Sequence, residues 1–223
     1  MFDLHTHTVF SDGELIPAEL ARRAKVAGYS GIAFTDHVDD SNLETTLAGL
    51  LAVAREYGPH MGLDLLAGVE LTHVPPGLVP VLVARARELG AQVVVVHGET
   101  VVEPVALGTN LAAIEAGADI LAHPGLITEQ DVRLAAERGV FLEITTRKGH
   151  SLANGHVLAM ARKFGAGLVI NNDAHAPGDL VSRDFRRITA LGAGMTENEY
   201  RRAEANGDGL ARKILAARGT VQA

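Results

Sequence analysis

The amino-acid sequence predicts an α/β fold, a distorted (β/α)7 barrel similar to a TIM barrel, with parallel strands inside and helices outside. Short runs of β-branched and apolar residues alternate along the chain with longer segments of helical periodicity. The short runs are continuously apolar, which is typical of parallel strands covered by helices. Seven such units in 223 residues indicate a ring one unit short of the usual eight.

The predicted strands share a short apolar run with a polar residue at its end or directly after it. They span residues 2–5, 31–35, 65–69, 92–96, 119–122, 140–144 and 168–171. Helices are predicted between them at 17–27, 43–57, 79–89, 110–116, 129–138 and 155–164, each followed by glycine at or near its expected end. Two further helices, at 179–191 and 197–217, complete the pattern. His5-Thr6-His7 stands where an open dinucleotide-binding sheet carries a glycine-rich loop, which favours the closed barrel. No linker divides the sequence, so we expect one barrel domain over residues 1–223.

Composition excludes several classes of protein. The absence of cysteine removes disulfides, thiolate zinc sites and cysteine nucleophiles. With 20 Lys+Arg against 27 Asp+Glu and 4% aromatic residues, the sequence argues against a protein that binds nucleic acid through a broad basic surface, although a local patch is compatible with it. The first residues resemble no signal peptide and no apolar run could span a bilayer, so we expect a soluble cytoplasmic protein without a membrane partner.

Potential metal ligands follow every predicted strand. In strand order they are His5, His7 and Asp12; Asp36 and His37; Glu70; His97; His123; Glu143; and Asp173 and His175. The carboxyl ends of barrel strands face one mouth, so we expect these side chains to converge there. So many titratable groups in one pocket favour bound cations over a structural polar network. Imidazole and carboxylate donors without thiolate suit Zn, Mn or Fe better than Mg or Ca.

These residues stand in six motifs, which are Asp3-Leu4-His5-Thr6-His7-Thr8 continuing to Ser11-Asp12-Gly13, Thr35-Asp36-His37, Gly68-Val69-Glu70, Val96-His97-Gly98, Ala122-His123-Pro124-Gly125 and Asn172-Asp173-Ala174-His175. In content and order the motifs resemble those of the polymerase and histidinol phosphatase (PHP) family, from Asp3 to about His175. The resemblance implies a distorted (β/α)7 barrel with a trinuclear metal site that hydrolyses phosphoesters.

The resemblance also implies which residues hold three divalent ions. His5, His7, Glu70 and Asp173 resemble the ligands of the first ion; Glu70, His97 and His123 those of the second, with Glu70 bridging; and Asp12, His37 and His175 those of the third. A hydroxide held between the first two ions would be the nucleophile, because coordination lowers the pKa of water to about 7. Glu70, Asp173 and His37 are accordingly the predicted catalytic residues.

Basic residues follow the sixth predicted strand and belong at the same mouth. Arg147, Lys148 and His150 are candidate substrate contacts, and Arg147 suits a two-point grip on phosphate. An ordinary surface arginine is the alternative. Arg183, after the last motif, is a further candidate. Glu143 is expected to orient a ligand histidine, to contact substrate or to pair with a buried basic residue.

The leading hypothesis is therefore hydrolysis of a phosphomonoester on a small molecule, such as histidinol phosphate or a nucleotide-like compound. One alternative is a nuclease that acts on the 3′ ends of nucleic acid, which the acidic chain argues against. The other is a non-catalytic RNA-binding scaffold related to RNase P protein subunits. A scaffold needs no metal ligands, so the nine intact positions argue against it.

Overall fold

The structure, a computed structural model, describes the backbone of residues 1–221 and the side chains of residues 1–217. Within that part of the chain, parallel strands form two hydrogen-bonded ladders, in the order β1-β2-β4 and β3-β5-β6-β7-β8-β9. The strands are β1 (Phe2–Thr6), β2 (Gly31–Phe34), β3 (His37–Val38), β4 (Asp64–Ala67), β5 (Val69–Leu71), β6 (Val94–His97), β7 (Ile120–Ala122), β8 (Phe141–Thr145) and β9 (Leu168–Asn171). The predicted parallel α/β fold is confirmed.

Two of the seven predicted strands, 31–35 and 65–69, continue after a break as a second short strand, β3 or β5, which runs beyond the predicted end. β3 follows β2 and β5 follows β4 in the sequence. The first strand of each pair belongs to the three-stranded sheet and the second to the six-stranded sheet. Gly68 separates β4 from β5, and a Cβ at this position would lie 2.0 Å from the carbonyl oxygen of Val93. After the breaks, His37 of β3 stands beside Glu70 of β5 in parallel register. The distortion thus brings two predicted ligands together.

The two ladders meet at a seam between β1 and the residues after β9. Among the described residues, one isolated bridge, Thr6 with Ala174, joins the two sides. The hydrogen bond from the His7 amide to the Ala174 carbonyl, 2.8 Å long, supports it. The last helix, α8 (Glu197–Val221), packs against β1 and β9. Its residue Asp208 accepts a hydrogen bond from the Phe2 amide. A helix therefore covers the seam.

Helices surround the strands much as the sequence predicts. They are α1 (Pro17–Val26), α2 (Leu43–Met61), α3 (Val79–Glu88), α4 (Thr109–Glu115), α5 (Glu129–Arg138), α6 (Asn154–Phe164), α7 (Arg183–Gly192) and α8. α2 runs beyond its predicted end at residue 57. α7 begins later than predicted, because a 3-10 turn at Pro177–Asp179 precedes it. None of the described helices is long and apolar enough to cross a bilayer.

Candidate metal centre

Four residues form a fully buried set at the carboxyl end of the strands. This inner group consists of His5 in β1, His7 directly after it, Glu70 in β5 and Asp173 in the turn after β9. Nε2 of His5 lies 3.2 Å from Oε1 of Glu70, and Nε2 of His7 lies 3.1 Å from Oδ1 of Asp173. Side-chain direction repeats every two residues along an extended chain, so His5 and His7 point to the same side.

Several polar atoms of this region are buried without a hydrogen-bond partner. They are Nε2 of His5, Oε1 of Glu70, Oδ1 of Asp173 and both ring nitrogens of His7 and His123. Leaving a buried donor or acceptor unpaired costs about 1–3 kcal/mol, so a set of them is the environment expected of cation ligands. Ligands placed tetrahedrally about 2.0–2.2 Å from zinc lie about 3.3–3.6 Å apart, close to the separations seen here. The inner group therefore fits divalent metal ions.

The electrostatics of the inner group also suit a cation. Burial alone lowers the pKa of His5, but the carboxylates of Glu70 and Glu143 outweigh it and hold that pKa well above its usual value. Burial lowers the pKa of His7 to about 3 and holds that of His123 well below its ordinary range, so both rings stay neutral, as ligands must. The surrounding carboxylates thus provide negative charge, and the neutral imidazoles of His7 and His123 provide free lone pairs.

Neighbouring groups fix the orientation of the inner donors. Oε2 of Glu143 lies 2.9 Å from Nδ1 of His5 and accepts a hydrogen bond from the Asn171 side chain. This contact directs Nε2 of His5 toward the centre, an arrangement common in metal sites. Of the three roles that the sequence leaves open for Glu143, the structure has it beside His5, a predicted ligand. Asp173 and His123 both have positive φ angles, 54° and 29°, which non-glycine residues rarely adopt.

A second set of donors, the outer group, lies at the rim of the mouth. It consists of Asp12, His37 and His175, whose side chains are 59%, 24% and 11% exposed. Oδ1 of Asp12 is 3.2 Å from Nε2 of His175 and 3.5 Å from Nε2 of His37. These are the three residues assigned to the third ion by the resemblance. His7 joins them, because all four residues offer ligand atoms within 4.8 Å of one another.

The predicted ligands of the second ion are brought together with an additional histidine. His97, His123 and His150 offer ligand atoms within 4.8 Å of one another, and Nε2 of His123 is 3.9 Å from Oε1 of Glu70. Glu103, in the loop after β6, was not predicted from the sequence. Its carboxylate lies 3.2 Å from Nε2 of His97, whose ring lowers the pKa of Glu103 to about 2. A search for acidic residues further from the strand ends would have found it.

The predicted substrate contacts are only partly at this mouth. Nη1 of Arg147 pairs with Oδ2 of Asp179 at 2.9 Å, which ties the loop after β8 to the turn after β9. Lys148 is exposed beside it. Arg183 instead pairs with Glu204 of α8, and its charge contributes to lowering the pKa of the Met1 amino group at the amino end of β1. The structure therefore does not bring Arg183 to the histidines.

A buried arginine that the sequence did not single out lies beneath the inner group. Nη2 of Arg186 is 3.0 Å from Oδ2 of Asp3, and its Nε donates to Oδ1 of Asn172. Asp3 precedes His5 by two residues, and Asn172 immediately precedes Asp173. We call Asp3, Asn172 and Arg186 the buried frame. It joins the two chain segments that carry three of the four inner donors.

Comparison with known proteins agrees with this geometry. The family model for the PHP domain matches residues 3–107, which include six of the nine predicted ligands, His5, His7, Asp12, His37, Glu70 and His97. The chain belongs to the PHP domain family. The remaining three ligands, His123, Asp173 and His175, lie beyond the matched segment, and the fold returns them to the same mouth. Together with the donor set, the family identifies the protein as a hydrolase that performs metal-dependent phosphoester hydrolysis.

Two relatives match most of their own length to this PHP domain chain. An uncharacterized protein of Methanocaldococcus jannaschii is 49% identical over 200 residues, which cover 89% of this chain and 92% of the relative. Ribonuclease P protein component 3 of Methanosarcina mazei is 30% identical over 214 residues, with 89% of this chain and 82% of the relative covered. Among solved structures, A. niger ochratoxinase superposes with a TM-score of 0.59 at 16% identity, covering 91% of this chain and 68% of that one. This last likeness concerns the fold alone.

Proposed function

We propose that the protein hydrolyses a phosphomonoester on a small molecule, such as histidinol phosphate or a nucleotide-like compound, with three divalent ions of Zn, Mn or Fe. The observation that carries the proposal is the charge of the mouth. Among the loops at the carboxyl ends of the strands, residues 7–16, 39–42, 72–78, 98–108, 123–128, 146–153 and 172–182, the only lysine or arginine residues are Lys148 and Arg147. A polynucleotide needs several such contacts along its backbone, whereas one phosphoryl group does not.

The residues of the chain have distinct roles in this proposal. Glu70 and Asp173 would hold the inner ions, and His37 would hold the outer one. When bound, the ions lower the pKa of water to about 7 and offset the charge that develops on the phosphoryl oxygens. Arg147 and Lys148 orient the phosphate from the loop after β8. Arg147 is already fixed in direction by Asp179, and an arginine so held loses less conformational freedom when it binds an anion.

The groove beside the outer group supports a small substrate. Beside the outer group lies a groove of about 340 Å³ lined by hydroxyl, amide and carboxylate side chains, including Ser11, Ser41, Asn42 and Thr72. A groove of this size and polarity fits a compact, hydroxyl-bearing leaving group. Among the described residues, no lysine or arginine lines it, so it offers no strong site for a second phosphate.

Phosphate release from a panel of small phosphomonoesters, with Zn, Mn or Fe added separately, tests the proposal. We expect turnover with at least one ester and a fall of more than about 100-fold in Glu70→Gln, since losing a ligand costs at least as much as losing a residue that orients one. Glu14→Gln, an exposed carboxylate in the first mouth loop, is the matched control and should retain the rate. Absence of turnover with every ester and every metal would contradict the proposal.

A second candidate function is RNA binding without catalysis. The observation that favours it is the similarity to Ribonuclease P protein component 3 of Methanosarcina mazei, which extends over 89% of this chain. The arginines that could contact RNA lie on outer helices, for example Arg22 and Arg23 of α1 and Arg201 and Arg202 of α8. Binding of structured RNA that persists in Glu70→Gln, combined with no phosphate release by the unaltered chain, would favour this function over the first.

A further inference from the structure

We infer that one ion of the metal-dependent centre is held by four protein donors, His97, His123, His150 and Glu103, of which the last two lie outside the family motifs. This inference rests on the metal dependence in the proposed function and specifies one of its sites. It also assigns His150 a different role from the substrate contact predicted from the sequence.

His150 has the environment of a ligand. It begins the 3-10 turn after β8 and is buried, and its ring stacks on that of His123 with centroids 4.1 Å apart. Its Nδ1 lies 2.8 Å from the hydroxyl of Thr100, which is also buried. With Nδ1 occupied in this way, Nε2 is the nitrogen left to bind an ion, and a hydrogen bond on the other nitrogen is what normally orients a ligand imidazole.

Glu103 brings a carboxylate to two of these histidines. Its Oε2 is 3.2 Å from Nε2 of His97, and its Oε1 is 3.4 Å from Nε2 of His150. Two ligands bound about 2.0–2.1 Å from a tetrahedral zinc ion would lie about 3.3–3.4 Å apart, so both distances match a shared ion. Both ring nitrogens of His123 are buried and unpartnered, which leaves a third nitrogen free at the same place.

The donor set also indicates the kind of ion and its accessibility. Three imidazole nitrogens and one carboxylate oxygen suit zinc or a similar first-row ion. The three histidines are buried, whereas the side chain of Glu103 is 38% exposed in a loop between Val102 and Pro104. Glu103 is therefore the donor that solvent or a phosphoryl oxygen can reach first. The three buried histidines, His150 among them, remain shielded from solvent.

The inference is tested on the resting protein by metal content and by the visible absorption of the Co(II)-substituted form. His150→Ala should lose about one equivalent of metal and reduce the absorption that tetrahedral Co(II) produces. Thr100→Val keeps the ring but removes its hydrogen bond, and should weaken that site about 10- to 100-fold. Glu103→Gln should weaken the same site and leave the other equivalents in place.

His73→Ala is the matched control. Its Nε2 lies 3.5 Å from the same Glu103 carboxylate and its ring stacks on His97, but it is exposed, whereas His97, His123 and His150 are buried. It should retain the metal content and spectrum of the unaltered protein. If His150→Ala also retains both, and only KM for the phosphoester rises, the inference is wrong and His150 contacts substrate. Full metal binding by the unaltered protein without phosphoester turnover would instead contradict the proposed function and leave the inference intact.

Discussion

The inner and outer groups use the same kinds of side chain in opposite surroundings. His5, His7, Glu70 and Asp173 are buried and have donor atoms that no protein group satisfies, whereas Asp12 of the outer group is mostly exposed. Water can hydrate the outer donors when no ion is bound, but it cannot reach the inner ones. The inner group therefore depends on its ions for stability, and the outer group is where an ion can exchange and a substrate can enter.

The two groups also differ in how the chain holds them. The inner donors are on or next to β1, β5 and β9, with the buried frame beneath them. Asp12 is on a loop that Asp36 secures, because the Asp36 carboxylate accepts hydrogen bonds from the Thr8 amide and the Ser11 hydroxyl, both 2.8 Å long. Asp36 thus supports the outer group through the loop and contacts neither Asp12 nor a histidine in the hydrogen bonds of the described residues. Substitutions in the core should therefore change metal binding at the inner group, and substitutions in the loop should change it at the outer group.

The largest expected effect comes from breaking the buried frame. Arg186→Met leaves the Asp3 carboxylate without its partner at a fully buried position, which should lower the free energy of unfolding by about 3–5 kcal/mol. Urea denaturation in the presence of a chelator measures this loss without a contribution from metal. Arg187→Met is the matched control, since Arg187 is half-exposed and pairs with Glu197 at the surface, where an ion pair contributes up to about 1 kcal/mol. Equal losses in the two variants would contradict the role of the frame.

The next effect concerns the orientation of an inner donor. Glu143→Gln keeps the shape of the side chain but removes the charge beside Nδ1 of His5, which should weaken metal binding at the inner group about 10- to 100-fold. Metal titration against a competing chelator gives the affinity. Glu137→Gln on the exposed face of α5 is a suitable control and should leave the affinity unchanged. An unchanged affinity in Glu143→Gln would mean that the frame alone orients His5.

The sequence predicts the inner and outer groups because both stand at strand ends, where a parallel barrel brings distant residues to one mouth. It does not predict the buried frame, since α7 departs from the usual hydropathy pattern. That helix exposes Phe185 and Ile188 and buries Arg186, so the residue that matters looks like a surface arginine. Glu103 and the position of Arg183 were missed for a related reason. Loop conformation and helix rotation depend on packing between elements, and periodicity along one element does not report them.

The smallest expected effect is on the affinity of the outer group for its ion. Asp12→Asn keeps an oxygen donor and a similar side chain but removes a charge that solvent already screens, so the affinity for the outer ion should fall only about 10-fold. Stepwise chelation, followed by metal content, should then remove one ion at lower chelator concentration than in the unaltered protein, while the inner ions leave at the same concentration in both. Glu14→Gln, on the same loop, should reproduce the unaltered curve. If all ions leave Asp12→Asn at the same chelator concentration, the two groups form one cooperative site. The exposure of the outer donors would then not make their ion easier to remove than the inner ions.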